Sequence, residues 1–311
     1  MKKIPIVFAF DNNIVEPACI CIFSLLKNAK KDTFYDIYIL HSKSVSLKKD
    51  KLNKIPTVFT NCRIEYRTVD DTFDSAYEVR GVTRATYYRL MIPSILPEYN
   101  KVIYSDVDII FRMDLTDLYN QDISSYYLAA TLDLGLNQEI KYLNSVPGLE
   151  AGKYIQAGFL VLNLEKMRQD NIEQVFKKLA KRKYKYQDQD ILNISCKGHI
   201  KYLKPEYNLN DCAIINMLWH KDRLPNIIKE NDMNRALTTG NIHYSGAKPW
   251  NKYSMSFDIW WEYYRKSPFY DENYYHKFFF DKTMLLESLS LWKRIKILIR
   301  YFVFGRYKGI R

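Results

Sequence analysis

Two carboxylates stand one residue apart where a predicted strand ends. Asp106 and Asp108 flank Val107 and follow an apolar segment at residues 101–105. On an extended chain both side chains point the same way, so their like charges would repel each other without a cation between them. Carboxylate oxygens are the ligands that hard divalent cations prefer. The spacing predicts a metal site, with a solvated turn as the alternative interpretation.

A second candidate group lies at residues 243–250, which read HYSGAKPW. His243 supplies an imidazole that can act as a third metal ligand, and Lys248 supplies a positive charge for a phosphate. Gly246 allows the backbone to approach a phosphate closely, because it has no Cβ atom. A lone histidine is more often structural than functional, but the glycine and lysine that follow favour phosphate and metal binding.

Polar residues also follow the first predicted strand and begin a helix in the middle of the chain. Ala9, through its backbone, and Asp11, through its carboxylate, could contact a base or a ribose, although Asp11 or Asn12 could equally cap the next helix. Residues 186–193 read YQDQDILN. They form either an ordinary helix start or a set of carboxylates and amides directed at a sugar and its anomeric carbon.

The elements that would position these groups alternate along the chain. Strands are predicted at residues 4–10, 35–41, 62–69, 101–105, 126–132 and 159–163, of which the first is a continuous apolar segment. Helical spacing predicts helices at residues 13–28, 44–53, 82–91 and 164–180, and another that begins near Asp188. This order predicts an α/β fold with a mixed, mostly parallel sheet flanked by helices. Ligands of such sheets bind beyond the carboxyl ends of the strands, where the candidate residues lie.

Composition and missing motifs exclude several classes of protein. The 311 residues are 47% hydrophobic and 26% charged, which excludes a disordered chain, and only 10 Gly and 10 Pro exclude a collagen-like one. The fingerprints of dinucleotide-binding and P-loop proteins are missing, as are HExxH and GxSxG. Five cysteines without a CxxC pair are typical of reduced core cysteines in a cytosolic protein. Neither a signal peptide nor a transmembrane helix is predicted.

Positive charge is concentrated at the end of the chain. The formal net charge is +12, of which residues 291–311 carry +7 without an acidic residue. A nucleic-acid-binding protein would carry its basic residues on the folded body, so the nearly balanced remainder argues against that function. Residues 250–280 are crowded with aromatic side chains, which are expected to form core and to line an acceptor cleft.

Residues 283–311 form a basic tail with an amphipathic pattern. The apolar residues that recur at helical spacing are Leu285, Leu289, Trp292, Ile295, Ile299 and Phe302. The basic residues beside them are Lys293, Lys296 and Arg300, and Tyr301 and Phe304 are two further aromatic residues. Such a helix can lie in the headgroup plane of a membrane. The pattern predicts docking on an anionic membrane surface, with a helix packed against the body as the alternative.

Taken together, these segments resemble glycosyltransferase family 8, which includes bacterial lipopolysaccharide galactosyl- and glucosyltransferases and glycogenin. The matching segments span about residues 4–250 in the family's order: FAFDNN, TYYRL, VIYSDVD, LDL, AGFLVLNLEKMR, YQDQDILN and HYSGAKPW. The resemblance implies a GT-A fold with a Rossmann-like nucleotide-binding half, a UDP-sugar donor, Mn²⁺ with Mg²⁺ as the alternative, and retention of anomeric configuration.

The resemblance also implies roles for individual residues. The implied metal ligands are Asp106, Asp108 and His243. The implied donor-binding residues are Ala9, Asp11, Asn13, Arg89, Asp106, Val107, Gln156, Ala157, Gly246 and Lys248. The implied residues around the sugar and the reaction centre are Asp133, Asp188 and Gln189, with Asp190 as a fallback.

Two positions depart from the family pattern. Gln156 precedes Ala157 and Gly158 where the family usually has Asn, and the longer amide is expected to change contacts to the sugar hydroxyls. Lys248 follows His243 by five residues where six is commoner, so the loop between them must be tighter.

These observations lead to an expected organisation and function. A GT-A catalytic domain over residues 1–250, with a nucleotide-binding half over about 1–108 and an acceptor half over about 109–250, precedes an aromatic-rich helical region over 251–311. The expected activity is transfer of galactose or glucose from UDP to a cell-surface glycan or lipid-linked saccharide. It would take place in the cytoplasm, at the inner face of the membrane. Front-face attack and a covalent intermediate remain open, and the alternatives are a sugar-nucleotide-binding protein without turnover and an enzyme with a protein acceptor.

Overall fold

The structure, a computed structural model, describes residues 2–70, Tyr77 and 84–302. Its centre is a seven-stranded sheet in the order β3-β2-β1-β4-β7-β6-β8, and a smaller sheet in the order β5-β10-β9 lies beside it. The strands within the described residues are β1 (Lys2–Ala9), β2 (Thr33–Ser42), β3 (Cys62–Val69), β4 (Lys101–Ser105), β5 (Ile109–Ile110), β6 (Leu128–Leu132), β7 (Ile155–Asn163), β8 (Ile200–Tyr202), β9 (Leu209–Asn210) and β10 (Ile242–His243).

Helices connect these strands and cover both faces of the large sheet. Within the described residues the α-helices are α1 (Val15–Lys27), α2 (Asp50–Asn53), α3 (Ile55–Val58), α4 (Ile92–Ile95), α5 (Thr116–Tyr119), α6 (Ile140–Ser145), α7 (Leu164–Gln169), α8 (Ile172–Ala180), α9 (Gln187–Ser195), α10 (Asp211–Trp219), α11 (Glu230–Thr239), α12 (Phe257–Lys266), α13 (Glu272–Glu287) and α14 (Leu291–Phe302). Short 3₁₀ helices add Asn12–Ile14, Arg84–Met91, Leu136–Gln138, Pro205–Tyr207 and Lys221–Arg223.

The first half of the large sheet is parallel throughout. β3, β2, β1 and β4 pair in parallel, and the strand order reverses between β1 and β4. Successive side chains of β1 point to opposite faces of the sheet. Ile6 and Phe8 pack into the hydrophobic core on one face, and Val7 and Ala9 pack into the core on the other. Burial on both faces accounts for the uninterrupted apolar run that predicted this strand.

The second half of the large sheet reverses direction. β7 lies antiparallel to both β4 and β6, whereas β6 and β8 are parallel, so the sheet is mixed and mostly parallel as predicted. In the small sheet His243 pairs with Ile109 on one side and with Asn210 on the other. This pairing places the late histidine beside the chain that follows β4.

Predicted and observed elements differ where side chains bond to the backbone. Strands β3 and β4 have the predicted bounds. The helix predicted over 44–53 begins only at Asp50, because the Asn12 side chain bonds the Ser46 carbonyl and the Lys48 amide. The helix predicted over 164–180 divides at Asn171, which has a left-handed φ of 51°.

The helix predicted over 82–91 is a 3₁₀ helix from Arg84 to Met91, and residues 82 and 83 lie outside the described residues. Pro93 follows this 3₁₀ helix and lies in the first turn of α4, a position that needs no backbone N–H.

The aromatic region packs into the main core, as predicted. Trp260, Trp261 and Tyr264 on α12 are buried and belong to the same cluster as β1 and α1. The Trp261 ring centroid lies 4.5 Å from that of Phe278 on α13. Trp261 Nε1 donates to the Pro249 carbonyl at 3.1 Å, so this core also holds the end of the segment at 243–250.

The tail helix is exposed where the structure describes it. Leu291, Trp292, Leu298 and Ile299 of α14 are exposed apolar side chains. Phe304 and the last three basic residues lie outside the described residues. Among the helices that the structure describes, none is both long enough and apolar enough to cross a membrane.

Four of the five cysteines are buried, as predicted for reduced core cysteines. Cys19, Cys21, Cys62 and Cys196 are buried free thiols. Cys212 is also free, but it is exposed on α10.

Replacing a core indole tests whether the aromatic region belongs to the fold. Trp261→Ala should lower the free energy of unfolding by about 3–5 kcal/mol, because it empties a fully buried site. Trp292→Ala is the matched control, since that ring is 80% exposed and its loss should change the free energy by less than about 0.5 kcal/mol. Urea denaturation of both variants measures the difference. Equal, small effects would show that the region folds apart from the sheet.

Candidate active site

A cleft of about 790 Å³ opens where β1 and β4 end, at the point where the strand order reverses. It is lined by all but one of the residues that the sequence singles out: Ala9, Asp11, Asn13, Arg89, Asp106, Val107, Asp108, Asp133, Gln156, Ala157, Asp188, Gln189, His243, Gly246 and Lys248. The sheet therefore gathers side chains that are far apart in sequence, as its topology predicts.

Asp106, Asp108 and His243 form a three-residue cluster in this cleft. One ligand atom from each residue lies within 4.8 Å of the others. Tyr104 donates to Asp106 Oδ1 at 2.7 Å and Arg89 lies 3.0 Å from the same oxygen, so the cluster is left with Oδ2. Asp108 Oδ1 lies 3.2 Å from His243 Nε2.

The cluster fits a hard divalent cation. Asp108 Oδ1 is buried and receives no hydrogen bond within the described part of the chain. The neighbouring imidazole bonds Asn208 Oδ1 through Nδ1 at 2.8 Å, which leaves the Nε2 lone pair for the cluster. Asp108 Oδ1 and the Nε2 lone pair of His243 are both acceptors, and a cation between them would bond to both. Two carboxylates and one imidazole are a donor set that suits Mn²⁺ or Mg²⁺.

Lys248 reaches this cluster despite the shortened spacing after His243. Its ammonium group forms an ion pair with Asp108 Oδ2 and donates to the Tyr244 carbonyl at 2.6 Å. Burial opposes ionisation of Asp108, but the adjacent Lys248 ammonium group favours the carboxylate, and the pKa of this carboxyl lies well below its usual range. Asp108 is therefore a carboxylate at neutral pH.

Arg89 connects the two sides of the cleft. Its buried guanidinium lies 3.0 Å from both Asp106 Oδ1 and Asp188 Oδ2, and it also bonds the Ala157 carbonyl. Burial alone would lower the pKa of Arg89, but the two carboxylates raise it above its usual range. Arg89 lines the cleft, and its ion pairs orient Asp106 and Asp188.

Asp188, Gln189 and Asp133 form the opposite wall. Burial raises the pKa of Asp188 to about 6, although Arg89 and a hydrogen bond from Thr86 of 2.7 Å favour the carboxylate. Gln189 accepts from the Ala157 amide at 3.0 Å and donates to Asp133 Oδ2 at 3.1 Å. Burial also raises the pKa of Asp133. These groups hold one another in fixed positions along the cleft.

Asp190 and Gln156 differ from the other candidate residues in what their carboxylate and amide oxygens contact. Asp190 is not among the described residues that line the cleft, since it is fully buried and accepts hydrogen bonds from Tyr142, Tyr154 and the Tyr186 amide. Its carboxylate thus holds the start of α9. Gln156 lines the cleft, and its side-chain oxygen accepts hydrogen bonds from the Gly158 amide and from Asn208.

Two further residues of the site, Asp211 and Asn208, are not indicated by the sequence. Asp211 lines the cleft, one of its oxygens is buried without a partner in the described residues, and burial raises its pKa to about 6. Asn208 holds the His243 ring. Both flank β9, a strand of two residues. A strand of two residues has no detectable pattern, so neither residue can be identified from the sequence.

The mixed sheet and its cleft are those of the GT-A class of glycosyltransferases. The crystal structure of galactosyltransferase LgtC, in complex with donor and acceptor sugar analogues, is similar with a TM-score of 0.73 and 25% identity. The similarity covers 88% of this chain and 100% of that chain. The fold implied by the sequence motifs is thus confirmed.

Sequence comparison identifies the family. The model of glycosyl transferase family 8 matches residues 5–254, and the chain belongs to that family. A Haemophilus influenzae protein that carries the name of a glycosyltransferase is 33% identical over 65% of this chain and 62% of that protein. Lipopolysaccharide 1,2-glucosyltransferase of Escherichia coli is 27% identical over 61% of this chain and 57% of that protein. The matches thus span somewhat less than two thirds of both relatives.

Adding a methyl group to Gly158 tests the cluster. A Cβ atom there would lie 2.7 Å from Asp106 Oδ2 and would also collide with the His243 ring. Gly158→Ala should therefore weaken Mn²⁺ binding by about ten- to a hundredfold, the range seen when groups around metal ligands are disturbed. Calorimetric titration with Mn²⁺ measures the affinity, and a thermal melt checks that the variant is folded. Unchanged affinity in a folded variant would place the metal elsewhere.

Proposed function

We propose that this enzyme transfers galactose or glucose from a UDP-sugar to a cell-surface glycan or lipid-linked saccharide, with retention of anomeric configuration. The observation that carries the proposal is the Asp106, Asp108 and His243 cluster, which faces a cleft at the switch point of the sheet. Lipopolysaccharide glucosyltransferase and LgtC galactosyltransferase among the similar proteins support a hexose donor and a saccharide acceptor.

In this proposal the nucleotide lies over residues 1–108 and the acceptor over residues 109–250. Ala9, Asp11 and Asn13 line the cleft where β1 ends and would contact uridine and ribose. Asp11 has a second task, since it also accepts a hydrogen bond of 2.8 Å from the Asn13 amide. The capping interpretation and the ligand-binding interpretation of Asp11 are therefore compatible.

The diphosphate would lie at the cluster. Asp106 Oδ2, Asp108 and His243 Nε2 would hold Mn²⁺, with Mg²⁺ as the alternative, and the cation would neutralise charge on the departing diphosphate. Lys248 is already beside Asp108 and would add a further positive charge. Gly246 lines the same part of the cleft, where a backbone without a Cβ atom lets a phosphate approach.

The sugar would lie between the cluster and α9. With a pKa of about 6, Asp188 is mostly ionised at pH 7 and can stabilise positive charge on the anomeric carbon. Gln189 and Asp133 line the same wall and would bind sugar hydroxyls. Both front-face attack, with the departing phosphate accepting the acceptor proton, and a covalent intermediate are compatible with this wall.

We also propose that the tail holds the enzyme at the inner face of the cytoplasmic membrane. The exposed apolar side chains of α14 lie on the same helix as the exposed basic residues Lys293, Arg294 and Lys296. Exposure of Trp292 and Leu298 disfavours the alternative of a helix packed against the body. Both kinds of residue suit the headgroup region of an anionic bilayer.

Removing one cluster carboxylate tests the proposed reaction. Asp106→Asn and Asp108→Asn should each reduce release of UDP from a UDP-hexose by at least about a hundredfold, because each loses a metal ligand. EDTA should abolish turnover by the unaltered enzyme, and Mn²⁺ should restore it. Asp222→Asn, at an exposed position, is the matched control and should keep full activity. Full activity in EDTA would contradict the metal-dependent reaction.

A panel of UDP-sugars in the same assay identifies the donor. Hydrolysis or transfer with UDP-galactose or UDP-glucose alone would support a hexosyltransferase. Tight UDP-sugar binding without UDP release, over a range of saccharide and protein acceptors, would instead favour a binding protein without turnover.

Charge removal tests the tail. Replacing Lys293, Arg294 and Lys296 with Gln should weaken binding to anionic vesicles by about a hundredfold, since each base near such a surface contributes about 1 kcal/mol. Co-sedimentation with vesicles containing phosphatidylglycerol measures the change, and phosphatidylcholine vesicles provide the control. A chain that ends at Glu287 should remain folded and bind UDP. If the full chain ignores anionic vesicles at low salt, the docking proposal is wrong.

A further inference from the structure

We infer that Gln156 and Asn208 are positioning residues that select the metal-binding form of His243. The inference rests on the proposed metal site and adds residues that lie behind it. All three side chains are buried, with exposures of 7% for Gln156, 4% for Asn208 and 1% for His243. Solvent therefore cannot replace the hydrogen bonds that join them.

The direction of each hydrogen bond in this chain follows from a backbone amide. The Gly158 N–H, which can only donate, lies 2.7 Å from the Gln156 side chain. The Gln156 atom at that position must be its oxygen, which can only accept. The same oxygen lies 2.6 Å from Asn208, so Asn208 must present its NH₂ group there.

The orientation of Asn208 then determines where the histidine proton lies. With its NH₂ group turned to Gln156, Asn208 presents its oxygen to His243 Nδ1 at 2.8 Å. An amide oxygen only accepts, so Nδ1 must carry the proton. A neutral His243 consequently has its lone pair on Nε2, the nitrogen that faces Asp108.

This proton position matters because only an unprotonated nitrogen can bind a metal ion. The opposite tautomer would donate from Nε2 to Asp108 Oδ1, 3.2 Å away, and would close the cluster without a cation. A hydrogen bond to the outer nitrogen of a metal-binding histidine also fixes the ring and raises its basicity. The chain from Gly158 through Gln156 and Asn208 supplies that bond.

The length of Gln156 suits this task. One oxygen must reach both the Gly158 amide and the Asn208 side chain, which lie in different elements. Asn at this position would be shorter by one carbon–carbon bond of about 1.5 Å, which exceeds the tolerance of a hydrogen bond. The longer amide at position 156 therefore serves the metal side of the cleft.

Nitrogen NMR of the unaltered full-length chain tests the inference directly. With ¹⁵N-labelled histidine, at pH 8 and without metal, His243 should show a protonated Nδ1 and an unprotonated Nε2. Loss of one signal set in His243→Gln assigns it among the five histidines. A protonated Nε2 in the unaltered chain would overturn the inference.

Two variants provide a second measurement. Gln156→Met keeps the side-chain length but removes the acceptor, and Asn208→Leu removes the bond to the ring. Both should weaken Mn²⁺ binding by about ten- to a hundredfold and shift the His243 signals towards a mixture of tautomers. Gln174→Met, at an exposed position on α8, is the matched control. Unchanged signals and unchanged Mn²⁺ affinity in both variants would also overturn the inference.

The two measurements separate this inference from the proposed function. If the unaltered chain fails to bind Mn²⁺, the metal-dependent reaction is wrong. The tautomer, measured without metal, still reports whether Gln156 and Asn208 set the proton position.

Discussion

The constraint on which the site depends is the burial of several carboxylates at one edge of a sheet. Asp106, Asp108, Asp133, Asp188 and Asp211 all line one cleft. Like charges this close are tolerated only where cations and hydrogen bonds offset them. Arg89 lies between two of these carboxylates and Lys248 lies against a third. Burial raises the pKa values of Asp188 and Asp211 to about 6. The nearby Arg89 and Lys248 therefore do not fully offset the cost of burying these carboxylates.

Reversal of β7 brings the two sides of this charge cluster together. Because β7 runs antiparallel to β4, its early residues lie beside the end of β4, and the Asp106 amide donates to the Gly158 carbonyl at 2.7 Å. A parallel strand would place its opposite end there. Ala157 therefore bonds Arg89, Gly158 lies against Asp106 and His243, and Gln156 bonds the Asn208 side chain that holds His243.

The sequence predicts this fold wherever the signal is local. The bounds of β3 and β4 are predicted to the residue, although only β4 is a buried apolar run, and polar residues after the strands predict most of the cleft. The prediction fails where distant side chains decide. The Asn12 side chain bonds the backbone near Lys48, so the helix predicted over 44–53 begins late. Strand β9 has only two residues, so its pattern cannot indicate Asn208 or Asp211. The direction of the Gln156 side chain depends on its bond to Asn208, which is 52 residues away, so no local sequence pattern predicts it.

The position of Trp250 has an optical consequence. This indole lines the cleft, and its ring centroid lies 5.5 Å from that of Trp260 in the core. Trp260 in turn stacks on Tyr264 with 5.4 Å between centroids. A molecule that enters the cleft would change the polarity around one member of a coupled set of chromophores. We therefore expect the intrinsic fluorescence of the protein to report occupancy of the cleft without a label, through the same aromatic cluster that stabilises the fold.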